Sequence, residues 1–407
     1  LVSAIFAARI LGREGFGELG VIQSTIAMFQ VFAGFGAALT ATKYVAEYRT
    51  RHSDKAGRIV ALTILASAIG GAVLAITLAG IAPWLASYTL AAPELTGLLR
   101  LSALLIFFGA IGGAQTGVLI GLEAFRATAS VSLVTGILSF PLVVGGVYFG
   151  GVSGAVWGMI AASVLTWVLN EIVLAKECTR AGIITCYKSC FEERSVLWTF
   201  SFPALLTSAM IAPVNWAACA MLVNQRNGFL ELGAFNAANQ WYSMLMMVPT
   251  VAGTPLLSIF SERLGANDAA RSKRLLLSII VLYTVLLLPL ALIGCIFSSS
   301  AMALYGPEFS SHSEGSTILS IAVITAFVAG IQVPIGQLIM ADARTWTAVV
   351  LVAIWACVYL ACGWILLYRG ALGIATARLI AYGFIFLCNV GIAFLIVRNC
   401  QKGGTPT

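Results

Sequence analysis

Charge is what this sequence has least of. Only 10% of its 407 residues are Asp, Glu, Lys or Arg, against 60% hydrophobic, and the mean hydropathy is +0.98. A soluble domain carries roughly a quarter charged residues, so water could not solvate the surface this chain would present. A polytopic membrane protein is the class that remains. Histidine is nearly missing: His52 and His312 each stand alone in a loop, which leaves no base for a Ser-His-Asp or Cys-His centre. CxxC pairs are missing too. Cys219, Cys295, Cys357, Cys362 and Cys388 lie in apolar runs, where free cysteine behaves as a small hydrophobe. Cys178, Cys186 and Cys190 share a loop, but with no paired spacing and no nearby histidine they make a poor zinc site. No metal and no cofactor is expected. The net charge of +7 would suggest nucleic acid in a soluble domain; here loop charges account for it, and no nucleic-acid partner is expected.

Long polar segments are also lacking. Apolar runs separated by charged or Gly/Pro breaks predict about twelve spans: 1–11, 19–41, 59–85, 98–122, 127–149 and 152–175, then 196–223, 232–260, 275–297, 316–341, 346–368 and 372–397. They are too continuous for barrel strands, which alternate over about ten residues, so the expected fold is all-α. A spanning helix needs about 20 residues; the run before Arg9 is shorter, so the sequence is expected to begin partway through its first helix, with no signal-peptide cleavage pattern. Placing that start in the cytoplasm puts seventeen Lys and Arg in cytoplasmic loops and tail and five on the opposite face, with Arg378 left inside a span. The positive-inside rule then predicts both termini in the cytoplasm. External loops are short and leave no room for a folded catalytic domain, so an enzyme is not expected.

One stretch is repeated. Gly15-Phe16-Gly17-Glu18-Leu19-Gly20 returns as Gly228-Phe229-Leu230-Glu231-Leu232-Gly233, each with an arginine just upstream (Arg13, Arg226). Farther on, Tyr148-Phe149-Gly150-Gly151-Val152-Ser153-Gly154 is answered by Tyr368-Arg369-Gly370-Ala371-Leu372-Gly373. A period near half the chain means two copies of one large unit. The expected organisation is a six-helix lobe at 1–175, a cytoplasmic linker at 176–195, a second lobe at 196–397 and a cytoplasmic tail at 398–407, the lobes parallel about an axis along the membrane normal. The first copy formally matches GxGxxG, yet a dinucleotide loop needs a preceding strand. The expectation is a tight turn between two helices, with Glu18 and Glu231 capping helix starts or pairing with Arg13 and Arg226.

Few residues could carry chemistry. Arg9 ends the first span; it either snorkels to the interface or lines a cavity and grips phosphate oxygens bidentately. Arg378 lies six or seven residues inside the last span, where ionisable groups face a bundle interior or an aqueous cavity; a structural ion pair is the competing reading. Polar side chains gather in corresponding spans: Gln23 and Gln30 in the first half, Asn236, Asn239 and Gln240 in the second, with Asn215 on the seventh. Their spacing sets them along single faces, either for hydrogen bonds between helices or to line a hydrated, sugar-compatible cavity. Carboxylates inside spans are limited to Glu171 and Asp342 near span ends, so ion coupling is left open.

The stretches Ala8-Arg9-Ile10-Leu11-Gly12-Arg13-Glu14-Gly15-Phe16-Gly17 and Thr42-Lys43-Tyr44-Val45-Ala46-Glu47-Tyr48-Arg49, with Ala234-Phe235-Asn236-Ala237-Ala238 after the second glycine motif, resemble Wzx-type oligosaccharide flippases. These belong to the superfamily of multidrug and oligosaccharidyl-lipid exporters. The resemblance implies two six-helix lobes around a central cavity, alternating access, and a bacterial plasma-membrane protein. Its implied cargo is an undecaprenyl-diphosphate-linked oligosaccharide. Membrane lipid and other membrane proteins of polysaccharide assembly are the implied partners. The related lipid II flippase carries a matching arginine in its cavity, which favours Arg9 as a diphosphate contact, joined by Arg378, with Gln23, Gln30, Asn215, Asn236, Asn239 and Gln240 toward the sugars. That flippase has further basic residues in its second span where this chain has Gln30. Leu222 stands where the repeat would place a second arginine. An ion-coupled multidrug extruder is the alternative, and a membrane polysaccharide polymerase a more distant one.

Overall fold

The structure, a computed structural model, describes residues 1–34, 36–50, 52–187, 189–193, 196, 209–265, 269–310, 313–341 and 345–401. Among these residues it is helical without a strand, as the continuous apolar runs require. The helices are α1 Val2–Ala33, α2 Ala37–Tyr48, α3 Ser53–Trp84, α4 Thr96–Gly121, α5 Phe125–Arg180, α6 Ile211–Val223, α7 Gly228–Gly265, α8 Ala269–Ile296, the short α9 Ser298–Ala303 and α10 Pro307–Ser310, then α11 Ser313–Ala341, α12 Thr345–Leu366 and α13 Gly370–Gln401. Seven stretches are long and apolar enough to cross a membrane. Two of them, Phe125–Arg180 and Trp346–Leu395, are broken mid-way and supply two helices each. The chain is therefore an all-α, multi-pass membrane protein. Apolar side chains such as Ile137, Val281, Val285 and Leu387 stand exposed along these helices, as hydrocarbon solvent permits.

Two expected boundaries need correction. The second span was expected to run through 19–41; instead α1 ends at Ala33 and a new helix starts after Gly36, which sits at φ 65. The glycine motif was expected to be a turn; instead the break lies three residues earlier, at Gly12 (φ 72, ψ −179), and Gly15–Gly20 is helical. In the second copy the turn again precedes the motif, with Asn227 at φ 60 just before α7 begins. The glycines serve packing. A Cβ at Gly17 would collide with the Phe229 carbonyl oxygen, and one at Gly233 with that of Arg13. The two copies thus lie against each other, backbone to backbone, as small residues allow in membrane helices.

The repeat is clearest at the second pair of motifs. Gly151 has φ 56 and ψ −137, and Gly370 has φ 58 and ψ −136. A side chain disfavours that region, and both copies place glycine there, breaking a long apolar run into an antiparallel pair.

Packing divides the chain into two compact units, one of Glu18–Ala220 and one of Ser3–Gly17 with the chain from Met221 on. In the first, α2, α3, α4 and the end of α5 close around Val45, Ile59, Val60, Val118, Leu119 and Leu174. Arg58 and Lys55 at the start of α3 pair with Glu193 at 3.0 and 3.8 Å. In the second, α7 and α11 pack along their lengths, and α12 and α13 pair. Residues 3–17 join this unit through specific contacts. Arg13 Nε donates to the Leu230 carbonyl at 2.7 Å and Nη2 meets Glu231 Oε1 at 3.3 Å, while Phe16 touches the rings of Tyr305 and Phe309. Arg51, Lys188, Arg194, Arg344 and Lys402, which enter the charge census, lie outside the described residues, as do Asp342 and His312.

Candidate functional site

Helix α13 starts on a fixed point. The Ala371 N–H donates to Glu231 Oε2 at 2.9 Å, while the other oxygen of that carboxylate takes Arg13. One of the open donors of a helix N-terminus is thereby closed by a residue of the repeated motif. Glu231 does cap a helix start and pair with an arginine, as the sequence suggests, but the arginine is that of the other copy.

Two turns on, about 11 Å along the axis, is Arg378, 8% exposed. Its Nη1 donates to Asn239 Oδ1 at 2.8 Å, and its guanidinium carbon lies 3.7 Å from the centre of the Tyr242 ring. Both partners come from α7, one helical turn apart. The Tyr242 hydroxyl meets that of Tyr382 at 3.3 Å. The Tyr382 carbonyl accepts from Gln332 Nε2 at 3.0 Å, and Gln332 Oε1 accepts from Asn389 Nδ2 at 3.1 Å. Trp355 closes the group, its ring 5.6 Å from that of Tyr382. A polar network of α7, α11 and α13 thus runs through the interior of one unit.

Among the described residues no carboxylate belongs to it. Every ion pair among the described residues involves other arginines or lysines. Among those residues the ion-pair reading of Arg378 finds no partner, and its guanidinium is buried against an amide and a phenol ring. Arg378 Nε, Asn236 Nδ2 and Trp355 Nε1 are moreover buried donors without an acceptor. An unmet buried donor costs about 1–3 kcal/mol, and an open Nε on a buried guanidinium suits an anionic, oxygen-rich ligand.

The other expected residues are placed differently. Arg9 is exposed, and its Nε donates to the Leu304 carbonyl at 2.6 Å, in the same unit as Arg378. Gln240 is half-buried beside Asn239 on α7. Gln30 is tied into helix packing: its Nε2 donates to the Leu105 carbonyl at 3.2 Å, and its amide fills the space where Gly109 lacks a side chain. Asn215 bonds back to the Ile211 carbonyl at 3.0 Å, within its own helix. Gln23 is exposed, its amide 3.8 Å from the Met159 sulfur. Gln23, Gln30 and Asn215 belong to the unit of Glu18–Ala220, where polar groups also serve helix packing, as Trp216 does in donating to Thr25 at 3.1 Å. Tyr382, Trp355 and Asn389 escape the sequence reading. One signal was available, since Tyr382 follows Arg378 by four and so shares its helix face.

Comparison with known proteins agrees with this architecture. Residues 1–262 match the family model described as polysaccharide biosynthesis protein, and residues 203–365 match the MatE family model. The EPS I polysaccharide export inner membrane protein EpsE of Ralstonia nicotianae is 25% identical over 281 residues; the aligned stretch is 67% of this chain and spans 61% of that protein. A putative O-antigen transporter of Shigella flexneri is 23% identical over 332 residues, 79% of this chain and 76% of that one. In fold, the chain is similar to an inward-facing multidrug resistance MATE family transporter of the MOP superfamily, with TM-score 0.83 and 13% identity over 99% of this chain and 94% of that one. With a family model matched over more than half its length, this chain belongs to the polysaccharide biosynthesis protein family.

Proposed function

We propose that the protein is a transporter of the bacterial inner membrane that flips a lipid-linked oligosaccharide, its head group an undecaprenyl diphosphate, for polysaccharide export. The observation that carries this reading is the buried Arg378, which has no carboxylate partner among the described residues and whose Nε is left without an acceptor. A diphosphate supplies the missing negative charge and acceptor oxygens together. Arg378 and Asn239 would hold the phosphate oxygens, while Asn236 and Gln240, on the same face of α7, offer amides to the first sugar. Arg9 keeps its terminal nitrogens beyond the single bond from Nε and is assigned the second phosphate contact. The charged head group cannot cross hydrocarbon unaided, so the protein must enclose it in a polar path. Helix breaks at Gly12, Gly36, Gly151 and Gly370 give hinge points for alternating access. The matched backbone angles at Gly151 and Gly370 support two like halves, at 1–175 and 196–397, and the Lys and Arg bias of the loops supports both termini in the cytoplasm. The related proteins named for polysaccharide export and O-antigen transport fit a transporter and not an enzyme.

The MatE match over 203–365 favours a second reading, a multidrug extruder. An organic cation would be repelled by Arg378, which weighs against it. In a strain lacking the cognate exporter, the wild-type chain should restore surface polysaccharide, and Arg378→Ala should not despite equal membrane abundance. Full restoration by Arg378→Ala, or drug resistance without polysaccharide, would sink the reading.

A further inference from the structure

The legs of α5, on either side of Gly150–Gly151, are pressed together near the break: a Cβ at Gly154 would strike the Gly146 carbonyl, and one at Gly158 that of Leu142. Toward the open end the legs separate, leaving a cavity of about 660 Å³. Arg126 and Ser130 line it from the first leg, and Lys176, Glu177 and Arg180 from the second, with Glu123 just before the first leg. The spacings 126 and 130, and 176 and 180, put each set along one face of its leg. The acids are already engaged. Glu123 Oε2 is 2.6 Å from Arg49 Nη2, and Glu177 Oε1 is 2.7 Å from Arg180 Nη1. Arg126 and Lys176 therefore provide the unneutralised charge of the cavity among the described residues. The same face of the first leg continues from Arg126 and Ser130 into Leu133 and Ile137, which are 65% and 62% exposed. Phe125 stands exposed at its foot.

A doubly basic cavity opening onto an exposed apolar stripe has the outline of one amphipathic ligand. The geometry points to a binding site for an anionic phospholipid of the surrounding leaflet. Its phosphate sits between Arg126 and Lys176, its glycerol oxygens lie at Ser130, and its acyl chains run along Leu133 and Ile137. Basic pockets between helices at a membrane face take such head groups. This site belongs to the unit of Glu18–Ala220, not to that of Arg378, and needs no cargo to fill. Its occupant would brace the splayed ends of the α5 hairpin and make the stability of the protein depend on the lipid around it.

The test uses the purified protein in detergent, titrated in parallel with phosphatidylglycerol, phosphatidylcholine and inorganic phosphate, and read by thermal unfolding and native mass spectrometry. Phosphatidylglycerol should raise the unfolding temperature and remain bound; the other two should do neither. At about fivefold per basic residue near a membrane surface, Arg126→Gln with Lys176→Gln should weaken phosphatidylglycerol binding about thirtyfold. Unfolding in phosphatidylcholine should not change, which verifies that the variant folds. Arg369→Gln, a basic residue outside the cavity, should leave lipid binding unaltered. Equal stabilisation by both lipids, an effect of inorganic phosphate alone, or full phosphatidylglycerol binding by the double variant would each overturn the assignment.

Discussion

Replacing Arg378 by methionine separates a residue kept for stability from one kept for a ligand. In the fold, the guanidinium gains about 1–2 kcal/mol from the desolvated Tyr242 face and about 1.5–3 kcal/mol from its charge-assisted bond to Asn239. Against this stands the burial of an unpaired charge, about 2.5–3.5 kcal/mol for arginine inside a membrane helix. The terms nearly cancel. Methionine keeps the reach of the side chain and removes the charge, and such replacements of buried ionic groups are often neutral or stabilising. Arg378→Met should therefore shift the unfolding temperature by no more than about 4 °C. Ligand binding should respond very differently, because a buried charge contact to an anion is worth about 2–5 kcal/mol, roughly thirtyfold to several thousandfold in affinity. The assay is binding of farnesyl diphosphate, a short prenyl diphosphate, to protein in lipid nanodiscs, with unfolding measured on the same samples. Wild-type affinity in Arg378→Met would refute the phosphate role; a large loss of stability with affinity retained would restore a structural one.

Other consequences are open to measurement. Gly17→Leu or Gly233→Leu forces a side chain into a facing carbonyl, so each should cost 3 kcal/mol or more by extending the usual overpacking range of about 1–3 kcal/mol, seen as loss of monodisperse protein. Gly136→Ala, with nothing near its missing side chain, should gain up to about 1 kcal/mol from helix propensity. Gly151→Ala and Gly370→Ala both put a side chain at a sparsely populated positive φ, at about 1–3 kcal/mol, but at Gly370 the new carbon would also lie 2.7 Å from Glu231 Oε2. Thermal unfolding should rank Gly370→Ala as the more damaging; the reverse order would refute this packing. Glu231→Ala should cost about 1–2 kcal/mol more than Glu231→Gln, since the amide can still accept from the Ala371 N–H.

The spans were legible because hydrocarbon imposes length and apolarity on every helix in sequence. The repeat was legible because both copies need glycine at the same backbone angles, at Gly151 and Gly370. The role of Gly15–Gly20 was not, because glycine serves turns and close packing alike; only the helix opposite, 216 residues on from Gly17 to Gly233, shows which. Arg9 and Gln30 could not be placed from sequence for a similar reason. Their partners, the Leu304 and Leu105 carbonyls, are backbone groups that any residue supplies. The absence of a carboxylate beside Arg378 among the described residues was equally hidden, since charge pairing depends on which helices meet. What the sequence did expose was the polar stripe of α7, because helical spacing alone aligns Asn236, Asn239 and Gln240.

Reconstitution tests the central claim most directly. Proteoliposomes containing the protein and a fluorescent prenyl-diphosphate-linked oligosaccharide, loaded in the inner leaflet, report cargo that reaches the outer leaflet through capture by an added lectin. The account predicts capture at a rate set by wild-type protein, abolished by Arg378→Met and unaffected by a neutral lipid-linked competitor. Transfer equal to that of protein-free liposomes, or transfer undiminished in Arg378→Met, would contradict it.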